Sequence, residues 1–132
     1  EAQKILLGIK EYPKEKIIKV RTSILECSFS RNITPSIFES KILQDADKLE
    51  STGMISIMRT FSSTGQMKKL FYNFEDPFCE KREPDNKYAL DLFYSRLLLA
   101  KDRMHTKTAR DIAEKRHKSL IYFLKKLKQE LK

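Results

Sequence analysis

The stretch Glu39-Ser-Lys-Ile-Leu-Gln-Asp-Ala-Asp-Lys-Leu-Glu-Ser-Thr-Gly53 decides the reading of the fold. It follows Thr34-Pro35, a capping residue and then a proline suited to a first helical position, so a helix is expected to open there. Gly53 is the expected place for that helix to relax or end. Phe38, Ile42, Ala46 and Leu49 fall on one helical face, which predicts packing into a core. Asp45 lies at the edge of that face, and Asp47 points the other way, between the apolar Leu43 and Met54. A helix apolar on both sides is buried, and buried carboxylates must be paired, hydrogen-bonded or bound to a metal. The plainer alternative is that both pair with lysines at a helix surface.

Working outward, helical spacing recurs on both sides. Glu1 to Gly8 reads as the end of a helix already under way, from which an incomplete chain is expected. Pro13 can open the next helix, in which Ile17, Val20, Ile24 and Cys27 form an apolar stripe. A loop is expected over Ser28 to Asn32. Beyond Gly53, a helical segment is expected from Met54 to about Ser62, broken by Ser62-Ser-Thr-Gly65. The aromatic run Leu70 to Phe78 lacks a helical period and reads as a loop laid across the domain. Asn86 is expected to cap a helix from Lys87 carrying Leu90, Phe93, Leu97 and Leu98 inward, and Thr106 to cap a final helix to about Leu131. With 3 Gly and 4 Pro in 132 residues there is little punctuation, which favours long helices in a single all-α domain over 1–132.

The net charge of +9 asks for an anionic partner: nucleic acid, a membrane surface or a small phosphorylated substrate. Much of the excess lies in Lys115-Arg116-His117-Lys118 and Lys125-Lys126-Leu-Lys128, interleaved with apolar residues at helical spacing. That pattern reads first as a solvated helix face, with a nucleic-acid-binding helix as the alternative. No apolar run is long enough to span a membrane. Cys27 and Cys79 lack metal-type spacing and form no disulfide framework, so a reducing cytoplasm is expected.

Asp45-Ala-Asp47-Lys48-Leu49-Glu50 followed by Gly53-Met-Ile-Ser-Ile-Met-Arg59-Thr-Phe61 resembles the last motif of the HD-domain metal-dependent phosphohydrolases. The likeness is greatest to the small single-domain branch that hydrolyses nucleotides and related phosphate esters. It continues through Tyr88-Ala-Leu-Asp-Leu-Phe93, Arg96-Leu-Leu-Leu99, Met104-His-Thr106 and Ala109-Arg-Asp-Ile-Ala-Glu-Lys-Arg116, and so covers nearly the whole chain. The resemblance implies an HD-like helical bundle that lacks its N-terminal helices. In that family a His, a His-Asp pair and a final Asp hold one divalent metal. The final Asp corresponds to Asp47, with Asp45 its close neighbour, while the other ligands come earlier in the family's sequence than this chain begins. Relatives carry a His where this chain has Thr22, and another where it has Cys27.

The resemblance assigns Lys48, Arg59 and Arg96 to the substrate phosphate, since an arginine can clamp a phosphate with two hydrogen bonds. One aspartate cannot hold a catalytic metal, and His105 and His117 stand in no HD pair and read as surface residues. A divalent ion (Mn, Mg, Co, Ni or Zn) is therefore implied for the family but is not expected to be held by this chain alone. The function implied is a nucleotide or phosphate-ester phosphohydrolase, inactive as these 132 residues. Two alternatives stay open: a non-catalytic HD relative that binds a nucleotide or protein partner, and a basic nucleic-acid module.

Overall fold

The computed structural model describes residues 1–27 and 33–131, so the loop expected over 28–32 lies outside the described residues. Among the described residues five α-helices carry the fold: α1 (Ala2–Leu7), α2 (Lys14–Glu26), α3 (Phe38–Leu49), α4 (Gly53–Gln66) and α5 (Lys107–Glu130). A π-helical turn at Phe93–Leu97 and a 3-10 turn at Ala100–Arg103 lie between α4 and α5. The architecture is all-α; among the described residues there is no strand, and an isolated bridge pairs Leu70 with Tyr88. Two compact units are resolved, Glu1–Asp47 and Lys48–Lys132.

In the first unit α1 lies against α2. The link from α2 to α3 is polar. Glu26 accepts from the Ser36 hydroxyl at 2.5 Å and from the Ser36 N–H at 3.0 Å. Gln44 donates through one nitrogen to the carbonyls of Glu26 (2.7 Å) and Ile33 (2.9 Å). These bonds explain a difference from the expected helix start. With Ser36 held by Glu26, the chain stays non-helical past Pro35, and α3 begins only at Phe38.

The buried face of α3 is also not the expected one. Ser40, Gln44 and Asp45 are buried, whereas Phe38 is 63% exposed, Ile42 49%, and Ala46 is exposed as well. Polar groups leave water when matched acceptors wait for them, and Gln44 finds two backbone carbonyls. The apolar stripe therefore lies open within these residues. On α2, Ile17 is buried, Val20 is half-buried and Ile24 is exposed, and Cys27, just past its end, is half-buried.

The second unit holds the larger core. Ile57 of α4, Leu90, Phe93 and Leu97 before α5, and Leu120 and Leu124 of α5 form one buried cluster. The Phe93 and Phe123 rings stack at 5.4 Å, and Phe61 lies across Phe123 at 6.0 Å. Met104, Ala109 and Ala113 make a second cluster that Leu49 joins. Leu49 is thus the member of the expected stripe that does pack inward.

Gly53 does not end α3. That helix stops at Leu49, and Gly53, at a φ of +72°, is the first residue of α4. A Cβ there would lie 3.1 Å from the Arg116 Cβ, so a glycine serves both the backbone sign and the close approach. Arg116 also donates to the Leu49 carbonyl at 3.2 Å, so α5 closes the α3–α4 junction.

Helix α4 then runs through Ser62–Gly65 to Gln66. Gly65 is the penultimate residue of α4, where a glycine costs at most about 1 kcal/mol against Ala, which core packing by Ile57 and Phe61 outweighs. The helix expected from Lys87 starts later, because residues 67–90 form an ordered loop whose N–H groups bond to side chains. Asn73 accepts from the N–H of Glu75 and Asp76, and Asp76 from those of Glu80 and Lys81. Asp85, not Asn86, accepts from the Lys87 N–H, and Asp91 accepts from that of Asp85 at 2.6 Å. Asp91 also takes two bonds from Arg82, at 2.5 and 2.7 Å.

Helix α5 starts as expected, with the Thr106 hydroxyl accepting from the Ala109 N–H at 3.2 Å. Lys115, Arg116, Lys118, Lys125 and Lys126 are exposed while Leu120 and Leu124 are buried, so the basic run is a solvated face of an amphipathic helix. Among the described residues, no helix is long and apolar enough to cross a membrane.

Candidate functional site

Asp45 and Asp47 stand two residues apart on α3, a spacing that turns side chains to different faces of a helix. Asp45 is 3% exposed and Asp47 is exposed. The fold therefore does not bring the two carboxylates to one point. Among the described residues, no three His, Cys, Asp or Glu side chains gather as a metal-holding group. The residues present do not by themselves fit a catalytic divalent ion: Asp47 offers one exposed carboxylate, and no second or third ligand joins it among the described residues.

Lys48, on the last turn of α3, has a fixed address. Its ammonium donates to the Arg103 carbonyl at 3.1 Å and lies 2.7 Å from the His105 Nε2. An ammonium has only donors, so this contact is a hydrogen bond when the ring nitrogen accepts. Both histidines are half-buried rather than on the surface as expected, and the buried Nδ1 of His117 has no partner among the described residues. Helix α3 presents Asp47 and Lys48 consecutively, so their side chains also diverge.

Arg59 and Arg96 border a common space. They line one cavity of about 150 Å³ between α4 and the π-helical turn, together with Glu50, Ser56, Thr60 and Ser63. Ser56, Arg59, Thr60 and Ser63 share a face of α4 by their spacing of three and four. Arg96 arrives from the π-helical turn, an element found disproportionately at functional sites. Glu50 pairs with Arg59 at the rim, where both side chains are well exposed. Two guanidinium groups among hydroxyls make a concave, cationic, hydrogen-bonding surface suited to a phosphate.

The sequence reading missed Glu50 as a member of this group and His105 as the partner of Lys48. Glu50 lies nine residues before Arg59 across the α3–α4 junction, and no local spacing reports that pairing. Thr22 on α2 and Cys27 just past its end are half-buried. Cys79 is no nucleophile at neutral pH: burial, and then the nearby Asp91 charge, push its thiol up to about 11.

No family model matches the sequence. The chain is 33% identical over 97 residues to the uncharacterized protein YpgQ of Bacillus subtilis, a match covering 74% of this chain and 42% of YpgQ. The fold agrees with the same protein. The crystal structure of YpgQ in complex with ADP superposes with a TM-score of 0.75 at 30% identity, over 97% of this chain and 60% of that one. The Lin1889 protein of Listeria innocua gives 0.76 at 32% identity, over 98% of this chain and 65% of that one. An HD-superfamily hydrolase of Bacillus thuringiensis gives 0.68 at 30% identity, over 94% and 56%. The chain thus has the fold of HD-superfamily proteins and spans about three fifths of the length of these solved structures.

Proposed function

We propose that the chain is part of an HD-type metal-dependent phosphohydrolase acting on a nucleotide or a related small phosphate ester in a reducing cytoplasm. The observation that carries this is the joining of two arginines in one hydroxyl-lined cavity, on a fold shared with a protein solved with ADP bound. In this reading Arg59 and Arg96 hold a phosphate through paired N–H donors and neutralise its charge. Asp47 supplies one carboxylate to a divalent ion that needs further ligands from residues outside these 132. When bound, such an ion would supply Lewis-acid chemistry at the phosphate. Asp45, the close neighbour of Asp47 on α3, is buried. Lys48, engaged with Arg103 and His105, contacts substrate only after leaving them.

A polypeptide that extends this one to include a His and a His-Asp pair should bind manganese or another divalent ion and hydrolyse nucleotides in a metal-dependent way. Asp47→Ala there should abolish turnover and, because Asp47 is exposed, shift stability by no more than about 0.5 kcal/mol. Metal binding and turnover that survive this substitution would refute the assignment. A chain with the His-Asp pair that neither binds metal nor turns over would favour a non-catalytic nucleotide-binding relative, which Thr22 and Cys27 in place of histidines also suit.

A further inference from the structure

Helices α2 and α3 run side by side in the same direction. Lys19 meets Glu39 at 2.6 Å, the Ser23 and Ser40 hydroxyls lie 3.4 Å apart, and Gln44 reaches the Glu26 carbonyl at 2.7 Å. Between them lies an open groove of about 430 Å³, lined by Val20, Ile24, Ile42, Leu43 and Ala46, with the Lys19–Glu39 pair at one end. We infer that this groove is the seat of an amphipathic helix carried by the same polypeptide beyond these 132 residues. The inference shares with the proposed function only the longer polypeptide; it needs neither the metal nor the arginine cavity.

The first unit has little core for the apolar surface it carries. Among its described residues Ile17 is the one large hydrophobic side chain that is buried, while nine are exposed, Ile42 at 49% and Phe38 at 63% among them. Exposed apolar area concentrated in this way marks a contact face. Its pattern names the kind of partner. Phe38, Ile42 and Ala46 stand four apart with Leu43 beside them, the stripe by which one helix packs on another. A trough between two parallel helices takes the side-chain ridge of a third.

Two observations decide whose helix it is. A two-fold pairing of copies would set groove against groove, and two concave faces leave each other unfilled. The solved relatives superpose over nearly all of this chain, yet this chain spans only about three fifths of their length. A polypeptide of that length carries further chain that must itself pack against something apolar. Leu43 and Asp47 lie one turn apart on one side of α3, and Asp47 is exposed, so a helix running on past Ala46 comes beside that carboxylate.

The test compares the 132-residue chain with the extended polypeptide that carries a His and a His-Asp pair. Each receives Ile42→Cys or, on the facing helix, Ile24→Cys, and maleimide labelling is followed by peptide mass mapping. Lys125→Cys, on the exposed face of α5, is the reference. Both groove thiols should label at rates close to the reference in the 132-residue chain. In the extended polypeptide they should label about a hundredfold more slowly, because the seated helix must lift before reagent enters. Equal groove labelling in the two polypeptides would overturn the proposal. So would labelling that slows as the 132-residue chain is concentrated, with dimers in sedimentation, because a second copy then fills the groove. Slow labelling in an extended polypeptide that binds no metal supports the groove and refutes the hydrolase reading alone. Metal-dependent turnover with fast groove labelling does the reverse. The exposure of Ile24 and Ile42 lets the variants fold, which far-ultraviolet circular dichroism checks.

Discussion

Removing the Asp91 carboxylate should cost this protein a large part of its stability. Asp91 is fully buried and accepts three charge-assisted or backbone bonds, two from Arg82 and one from the Asp85 N–H. Asp91→Ala leaves a guanidinium unpaired and an N–H without its acceptor. Breaking a buried pair from one side costs about 3–5 kcal/mol. Arg82 keeps 23% of its side chain in water and still donates to the carbonyls of Asp76 and Glu83, so the low end, about 3 kcal/mol, is expected. Urea unfolding measures this as a lower midpoint at unchanged slope.

The acid limb gives a second reading of the same pair. Burial pushes the Asp91 carboxyl up, but the Arg82 bonds, the Asp85 N–H and the Arg82 charge together hold it below the usual carboxylate range. A depressed folded value means that this stabilisation is fully present above the unfolded pKa, about 3.9, and is lost as pH falls through the folded value. Asp91→Ala should therefore flatten the fall in stability below that point. A loss under about 1 kcal/mol, little more than one neutral hydrogen bond contributes, or an acid limb identical to the native one, would refute the reasoning.

Gly53→Ala must place a Cβ at positive φ and against Arg116, and should cost about 2 kcal/mol in the same urea assay. Thr106→Ala removes the acceptor for the Ala109 N–H and should cost about 1 kcal/mol, with Thr106→Ser restoring most of it.

What the sequence made legible was local. Thr106 and the amphipathic run behind it state a helix start and a buried stripe within a few residues, and α5 follows both. The all-helical class was legible for the same reason. Periodicity showed that α3 has an apolar stripe but not that the stripe is buried. The burial of its other face is decided by Gln44 meeting the carbonyls of Glu26 and Ile33, contacts separated by 18 and 11 residues. Ser62–Gly65 looked like a break because propensity is weighed one residue at a time, whereas Ile57 and Phe61 hold α4 by packing. At the site, Arg59 and Arg96 could be named one by one from the resemblance. Arg96 reaches the shared cavity from a π-helical turn that no spacing rule announces, and the acidic partner of Arg59 comes from across a helix junction.

The loop over 67–90 is irregular in backbone yet tied down by Asn73, Asp76, Asp85 and Asp91. It offers digestive enzymes abundant recognition residues: Lys68, Lys69, Lys81, Arg82 and Lys87 for trypsin, and Phe71 and Phe74 for chymotrypsin. A protease must draw its target out into an extended strand, and here that means first releasing N–H groups from carboxylates and Arg82 from Asp91. Cleavage then waits on an opening fluctuation and not on sequence. A segment that looks like the weakest part of the chain on paper should survive limited digestion about as long as the helices beside it.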